Sequence, residues 1–275
     1  MSDDVTIAVK DGVALVTIDR AHARNAIAQQ TMTELSHGLD QLETRDDVRV
    51  LVLRGAGDRA FVSGGDLKDL ATIRDVASAE SMARTMRRLL DRFATFPVPV
   101  IGAINGSAVG GGAEVALAAD MRVAADDVQI GFAQAKLSIM PAWGGAERLV
   151  DVVGRSRAIR LIATGESISA KTAEGYGLFD VVCPRSDFED TWRALAHKVA
   201  SLPVDLVRSI KDVVDAARPH ARPDLETNAV THFARAWVSD AHWTAVDALR
   251  PARPAITTAT ATVTASHGAS TRDPG

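Results

Sequence analysis

Residues 105–114 have the sequence Asn-Gly-Ser-Ala-Val-Gly-Gly-Gly-Ala-Glu, the densest glycine cluster of the chain. An apolar run typical of a buried strand, residues 100–104, precedes the cluster, and an apolar helical pattern, residues 113–119, follows it. A helix that begins at such a turn has backbone N–H groups without intrahelical partners, and glycine lets a ligand approach them closely. The stretch therefore predicts either a site for a phosphate or a developing oxyanion, or simply close packing of a helix on a strand.

A second glycine turn lies upstream, where residues 60–67 have the sequence Ala-Phe-Val-Ser-Gly-Gly-Asp-Leu. This turn also follows an apolar run, residues 48–53, which predicts a buried strand. Two turns that each follow a strand can direct two N–H donors at one oxygen. The pair of clusters therefore predicts an oxyanion site more strongly than either cluster alone.

The spacing of these residues excludes three common motifs. No lysine follows the glycines of residues 106–112, so they are not a phosphate-binding loop of the type G-x-x-x-x-G-K-[ST]. They also lack the spacing G-x-G-x-x-G of dinucleotide-binding turns. Ser63 does not lie in G-x-S-x-G, so we do not expect it to be a nucleophile.

Glu114 is an acidic residue in the first turn of an otherwise apolar helical pattern. It either complements the helix dipole or acts as a general acid or base among alanines and valines. The helix start lowers the pKa of its carboxyl and apolar surroundings raise it, and the sequence leaves open which effect is larger.

Strand and helix patterns alternate along the first half of the chain, which is typical of an α/β fold. Two short strand patterns flank Asp11-Gly12, a dipeptide that favours a tight hairpin. Helical patterns dominate after Pro141. The predicted strands are residues 5–9, 13–18, 48–53, 100–104, 121–124, 128–130 and 181–182. The predicted helices are residues 25–42, 81–96, 142–153, 156–164, 169–176, 187–201, 204–217 and 224–249.

These patterns predict three regions: a core of residues 1–200, a C-terminal helical region of residues 201–251, and a flexible tail of residues 252–275. The tail is rich in Pro, Thr, Ala and Ser and has no apolar period. The helical region carries a broad apolar stripe between Leu202 and Val214, which predicts an assembly surface.

Composition argues against several functional classes. The chain has 31 Lys and Arg against 35 Asp and Glu, so no basic excess is present to bind nucleic acid. No apolar run approaches about 18 residues, so we expect no membrane span. The single cysteine, Cys183, cannot form an internal disulfide and is typical of a reducing compartment, so we expect a cytoplasmic protein. None of the seven histidines lies in a metal-binding motif, and we expect no metal site.

Together, the motifs resemble those of the enoyl-CoA hydratase/isomerase (crotonase) family, from about residue 4 to about residue 250. The resemblance rests on Arg24-Asn25-Ala26, on Phe61-x-Ser63-Gly64-x-Asp66-Leu67, and on the cluster ending at Glu114. It continues in Pro141-x-x-Gly144-Gly145 and Arg148-Leu149. Each motif is weak alone, and the set is specific.

The resemblance implies a spiral of ββα turns followed by a helical oligomerisation region, assembled as a homotrimer or a dimer of trimers. It implies an acyl thioester of coenzyme A as the substrate, with coenzyme A as part of that substrate and no separate cofactor. It places the N–H groups of Ser63 and Gly111 in the oxyanion hole and makes Glu114 an acid or base. The residues that it places around the substrate are Arg24, Ala26, Gly64, Asp66, Leu67, Gly110, Pro141 and Trp143.

One departure bears on the reaction. Hydratases of this family carry two catalytic glutamates; Glu114 matches the first, and Gln134 stands at the second position. A glutamine cannot transfer a proton as a carboxylic acid does, although it can orient water. Trp143 resembles the tryptophan of the acyl-CoA decarboxylase branch. Three alternatives remain: a hydratase or isomerase, a decarboxylase of a malonyl-type thioester such as ethylmalonyl-CoA or methylmalonyl-CoA, and a weakly catalytic CoA-thioester binder.

Overall fold

A computed structural model of the chain describes residues 3–70, 76–137 and 139–217, with no side-chain description for residues 76–80. The described chain is a mixed α/β structure, which confirms the predicted fold class. The predicted helix over residues 224–249, the tail of residues 252–275, and much of the predicted helical region lie outside the described residues.

The strands and helices follow one another in an order that alternates in the first half and becomes helical later. The described strands are β1 (Val5–Lys10), β2 (Val13–Ile18), β3 (Val50–Gly55), β4 (Ala60–Val62), β5 (Val100–Ile104), β6 (Ser107–Val109), β7 (Met121–Ala125), β8 (Gln129–Gly131), β9 (Ser167–Ser169) and β10 (Val181–Cys183). The described helices are α1 (Gln29–Glu43), α2 (Val76–Ala94), α3 (Gly111–Ala116), α4 (Gly145–Val153), α5 (Arg155–Thr164), α6 (Ala170–Gly175), α7 (Phe188–Ala200) and α8 (Val204–Ala216).

Two sheets form the described core. The first has the strand order β1-β2-β3-β5-β7-β10, and its strands are parallel except for the antiparallel hairpin of β1 and β2. The hairpin turn is Asp11-Gly12, with φ values of 51° and 82°. The second sheet has the order β4-β6-β8-β9, with β9 antiparallel to β8.

Successive segments of chain repeat the same path between the sheets. β3 lies in the first sheet, β4 in the second, and α2 follows; β5, β6 and α3 repeat this order. β7 and β8 repeat it again and lead into a 3₁₀ helix, Ala133–Leu137. This is the spiral of ββα turns that the resemblance implied. Each repeat delivers a turn to the same region, where the second sheet meets its helices.

The core is built from small aliphatic side chains because the central parallel strands are covered on both faces. Residues 50–53 of β3 and residues 100, 101, 103 and 104 of β5 are almost fully buried. On α1, the predicted stripe of Met32, Leu35, Leu39 and Leu42 is buried, as the spacing requires. No helix among the described residues combines the length and apolar character that a membrane crossing needs.

Helix α1 begins four residues later than the sequence pattern predicts. Arg24 and Asn25 have positive φ values of 53° and 54°, and Ile27 pairs with Gly65 in an isolated parallel bridge. This tertiary pairing holds residues 24–28 in a non-helical conformation and ties them to the second glycine turn.

Candidate active site

The two glycine turns meet in space. Gly64, which follows β4, has a φ of 107°, and a Cβ atom built there would lie 3.4 Å from the backbone nitrogen of Gly111. Close packing is also present, because a Cβ on Gly112 would lie 1.8 Å from the carbonyl oxygen of Val62. The cluster therefore serves helix packing through Gly112 and brings the amide of Gly111 beside the turn at Gly64.

Several backbone N–H groups of these turns have no recorded acceptor among the described residues, and those of Ser63 and Gly111 are two of them. Gly111 opens α3, so its N–H has no intrahelical partner. The neighbouring N–H of Gly110 is occupied, because it donates to the carbonyl of Gly131 over 2.8 Å. Gly110 itself has a φ of 60°, a conformation that L side chains rarely adopt, which explains glycine at this turn.

Glu114 is buried, with 2% of its surface exposed, and both carboxylate oxygens accept hydrogen bonds. Oε2 accepts from the backbone nitrogens of Trp143 and Gly145, at 2.8 Å and 2.9 Å. Oε1 accepts from Nε2 of Gln134 at 2.9 Å. Glycine is required at 145 because a Cβ there would lie 2.4 Å from Cγ of Glu114.

Burial raises the pKa of the Glu114 carboxyl above its ordinary value. The hydrogen bonds from Gly145, Trp143 and Gln134 oppose this effect but do not cancel it. The balance that the sequence left open is therefore settled in favour of burial. A raised pKa brings a carboxyl closer to the range in which it both gives and takes protons near neutral pH.

Gln134 lies in the 3₁₀ helix that follows β8 and is buried beside Glu114. Its Nε2 faces the carboxylate, which fixes the orientation of the amide because a carboxylate accepts hydrogen bonds only. Its Oε1 is also buried and has no hydrogen-bond partner among the described residues. Such an unpaired acceptor costs about 1–3 kcal/mol, and so it marks a place where a ligand donor is favoured.

Trp143 lies between the two glycine turns. Its indole packs on Gly111, where an added Cβ would come within 2.2 Å of Cζ3. The adjacent edge of the same ring approaches Gly65, where a Cβ would lie 3.7 Å from Cζ2 and Cη2. Only 7% of Trp143 is exposed. The ring is therefore next to one partnerless amide while the backbone of the same residue binds Glu114.

Arg148 is part of one of the sequence motifs, and the structure shows which groups its guanidinium contacts. Its Nη1 donates to the carbonyl of Trp143 over 3.1 Å, and its Nη2 is 2.5 Å from Oδ1 of Asp91 on α2. The arginine thus ties residues 143–145, whose amides bind Glu114, to another helix. No local sequence signal connects Arg148 with Asp91, which is 57 positions away.

The residues expected to line a CoA groove lie beside the second glycine turn. Ile27 donates its N–H to the carbonyl of Gly64, and Asp66 donates its N–H to the carbonyl of Ile27, both over 2.8 Å. In the same segment, Ala26 is buried and Arg24 is exposed. The structure therefore brings residues 24–28 and 63–66 together.

Asp66 is engaged in holding its own loop. Its carboxylate pairs with Arg20 at 3.0 Å and accepts from the N–H groups of Lys68 and Asp69. Burial raises the pKa of Asp66, but these contacts outweigh burial and hold the pKa below its ordinary value. Leu67 is 65% exposed and Pro141 is half-buried.

Acidic residues elsewhere do not form a metal centre within the described ranges, where no group of three or more His, Cys, Asp or Glu is placed to hold an ion. Asp126 and Asp127, which lie near Gln134 in sequence, contact Arg185 at the surface. They do not take the place of a second carboxylate beside Glu114.

Comparisons with known proteins identify related sequences. The family model described as enoyl-CoA hydratase/isomerase matches residues 8–240. A (E)-benzylidenesuccinyl-CoA hydratase of Thauera aromatica is 35% identical over 201 residues, which cover 72% of this chain and 76% of the relative. A short-chain-enoyl-CoA hydratase of Clostridium acetobutylicum is 33% identical over 193 residues, 70% of this chain and 74% of the relative.

A solved structure shares the same architecture. The crystal structure of an enoyl-CoA hydratase from Bacillus anthracis superimposes with a TM-score of 0.84 at 30% sequence identity, and covers 89% of this chain and 95% of that chain. The matched residues include both glycine turns and Glu114. The chain is therefore a member of the enoyl-CoA hydratase/isomerase family and acts in the class of enzymes that use acyl-CoA substrates.

Proposed function

We propose that this chain catalyses proton transfer on the acyl chain of a CoA thioester, in a reaction of the hydratase or isomerase type. The observation that supports this most is the buried carboxyl of Glu114, whose pKa is raised and which lies three residues after the partnerless amide of Gly111. Coenzyme A enters as part of the substrate, and we propose no other cofactor.

The thioester carbonyl oxygen would accept hydrogen bonds from the N–H groups of Ser63 and Gly111. Negative charge accumulates on this oxygen when the thioester becomes an enolate, so donors fixed there stabilise the transition state more than the ground state. Loss of one such donor typically costs about 2.7–4 kcal/mol. Arg24, Ala26, Asp66 and Leu67 would border the CoA portion outside this hole.

Glu114 would move protons at Oε1. Its Oε2 already accepts from two backbone amides, whereas Oε1 accepts only from Gln134. In hydration, Oε1 takes a proton from a water whose oxygen bonds to the β carbon, the electron pair moves to the thioester oxygen, and the same proton returns to the α carbon. In isomerisation, Oε1 takes a proton from the γ carbon and delivers it to the α carbon. Both sequences balance with one carboxylate.

Gln134 would act as an auxiliary hydrogen bonder. Its Nε2 is directed to Glu114, and its unpaired Oε1 is the acceptor available to a water or to a substrate hydroxyl. A neutral amide cannot supply a second proton, so this arrangement favours chemistry in which a single carboxylate both takes and returns the proton.

A homotrimer or a dimer of trimers is the assembly we propose. The support is the apolar stripe of α8, on which Val207 is buried while Ile210 is 45% exposed and Val214 is 61% exposed. Lys211, buried with its Nζ 2.7 Å from Asp120, fixes this helix to the core, and the exposed part of the stripe is apolar surface that a neighbouring copy of the chain could cover.

Decarboxylation of a malonyl-type thioester is the second candidate. Its support is the neutral Gln134 beside a single carboxyl, together with the apolar ring of Trp143. Loss of carbon dioxide leaves an enolate that the same two amides would stabilise, and a protonated Glu114 would return a proton to the α carbon. This reaction does not need a second proton-transfer group.

Product analysis distinguishes the candidates. The full chain is incubated separately with crotonyl-CoA, methylmalonyl-CoA and ethylmalonyl-CoA, and products are identified by mass spectrometry against a heat-denatured control. We expect conversion of crotonyl-CoA to its hydrated or isomerised product. Formation of butyryl-CoA from ethylmalonyl-CoA without reaction of crotonyl-CoA would establish the second candidate. Binding without turnover of any of them would make the chain a CoA-thioester binder.

A further inference from the structure

Trp143 lies beside Gly111 through its ring and beside the carboxylate of Glu114 through its backbone nitrogen. The ring packs so closely on Gly111 that a Cβ there would meet three of its carbons within 2.9 Å. The backbone nitrogen of Trp143 binds Oε2 of Glu114 at 2.8 Å. An acyl chain that runs from the Gly111 amide towards Glu114 must therefore pass along this ring.

The indole has little freedom to withdraw. Its residue is fixed on both sides, by the N–H bond to Glu114 and by the carbonyl bond from Arg148 at 3.1 Å. Gly65 lies near the adjacent Cη2–Cζ2 edge of the ring, and 7% of the residue is exposed. Packed aromatic rings move only when their neighbours move, so the ring sets a fixed limit on the neighbouring space.

Family membership leaves the acyl group open. The two relatives described above are named for a short-chain enoyl group and for a benzylidenesuccinyl group, which differ greatly in size. The acyl group therefore differs in size among relatives, and a large ring at 143 is placed where it would limit that size in this chain.

We propose that Trp143 is a specificity-determining residue that restricts this enzyme to short acyl groups such as crotonyl. This inference rests on the proposed acyl-CoA function. A longer chain would need the volume that the indole fills, and its methylenes would either clash with the ring or remain in water. Replacement of the indole by a small side chain opens that volume without removing the backbone N–H that holds Glu114.

The test measures binding of saturated thioesters, which cannot react by hydration or isomerisation. Butyryl-CoA, octanoyl-CoA and dodecanoyl-CoA are titrated calorimetrically into the wild-type chain, Trp143→Ala, Trp143→Leu and the control Trp192→Leu. Trp192 is equally buried, but it lies on α7, which packs against the first sheet. Melting temperatures show which variants fold. Trp143→Leu keeps a large apolar side chain, so it serves as the test variant if Trp143→Ala fails to fold.

We expect wild type and Trp192→Leu to bind butyryl-CoA at least about tenfold more tightly than octanoyl-CoA. In Trp143→Ala the preference should reverse, with a gain of about three- to fourfold for each methylene that enters the opened space. Equal binding of butyryl-CoA and octanoyl-CoA by wild type would overturn the proposal while leaving the proposed function intact. An unchanged chain-length ratio in a folded Trp143 variant would also overturn it. If wild type binds none of the three thioesters, the proposed function fails and this inference fails with it.

Discussion

Gln134 donates its side-chain amide to Glu114 over 2.9 Å, so a neutral group stands against the buried carboxylate. The contact explains how a carboxylate with a raised pKa is tolerated in the core. Three N–H donors satisfy it, while burial keeps its proton affinity high. The same contact leaves Oε1 of Gln134 unpaired. The site therefore holds a hydrogen-bond acceptor that the folded chain alone does not use.

Glu114→Gln should stabilise the folded chain at neutral pH. Because burial raises the pKa of Glu114, the folded state binds this proton more readily than the unfolded state. The stabilisation that this bound proton gives the folded state is complete below about pH 4.5, and it is lost as pH rises towards the raised pKa of Glu114. A glutamine at 114 avoids this loss, and its Nε2 can donate to Oε1 of Gln134 once that amide turns over.

The expected gain in melting temperature at pH 7 is about 2–4 °C, because a change of about 1 kcal/mol in the free energy of unfolding shifts the melting temperature by that much in a chain of this size. The difference between variant and wild type should shrink as pH falls towards 4.5. Calorimetric melts at several pH values measure it. A variant that melts well below wild type at pH 7 would show that the carboxylate is a structural group.

Gln134→Glu should raise the rate of crotonyl-CoA hydration, by about tenfold or more, because a second carboxyl adds general acid–base catalysis. Two carboxyls at this distance also raise the pKa of the pair, so the ascending limb of the pH–rate profile should move to higher pH. Initial rates across pH give both quantities. Gln134→Met is the control, because it keeps the side-chain length and removes both polar atoms. No gain in hydration, with a wild type that decarboxylates ethylmalonyl-CoA, would favour the decarboxylase.

Arg148→Lys should lower kcat by about tenfold and change KM by less than about twofold. A lysine cannot hold the carbonyl of Trp143 and Asp91 together, so the amides of residues 143 and 145 lose their alignment on Glu114. Because those amides lower the pKa of Glu114, the ascending limb of the pH–rate profile should also move upward. Steady-state kinetics test this, with Arg45→Lys as the control, because Arg45 forms an exposed ion pair with Asp47. A change in KM alone would contradict the positioning role.

Alanine substitutions in the glycine cluster should differ sharply between neighbours. Gly112→Ala drives a Cβ into the backbone of Val62, and should destabilise the fold by about 3 kcal/mol or more. Gly111→Ala meets the ring of Trp143 instead, so it should destabilise wild type but cost much less in a Trp143→Ala background. Denaturant unfolding measures each, and Gly175→Ala, with nothing within 4 Å, is the neutral control. The same loss from Gly111→Ala in wild type and in the Trp143→Ala background would contradict the packing described for Trp143.

The sequence predicted those parts of the fold that local patterns specify. The hairpin at Asp11-Gly12, the buried stripe of α1 and the strands of the first sheet were all predicted, because each depends on a dipeptide preference or on a residue period. Strands β4 and β6 were not predicted because they lie in or beside the two glycine clusters, and β9 was not predicted because its only apolar residue is Ile168. The equally short β8 and β10 were predicted from apolar runs. The first helix was predicted to begin at Asn25, whereas it begins at Gln29. The cause of the difference is the bridge of Ile27 to Gly65, a tertiary contact that no local pattern shows.

The sequence likewise predicted some residues of the candidate site but not the contacts between them. The two glycine turns, Glu114 and Gln134 were identified as candidates from the sequence and from the family resemblance. The amides that hold Glu114 come from residues 29 and 31 positions later, and no pattern in the chain links them to it. The packing of Trp143 on Gly111 was likewise beyond the sequence, because it depends on how α3 and the loop before α4 lie against each other.

Turnover of Glu114→Gln tests most directly whether Glu114 is the proton-transfer group. The rate on the substrate identified by product analysis is measured for wild type and variant, together with the affinity of each for butyryl-CoA. We predict a fall in kcat of about 10²–10⁴-fold with butyryl-CoA affinity unchanged within about twofold. A variant that retains wild-type turnover would contradict this role and leave Glu114 as a structural group.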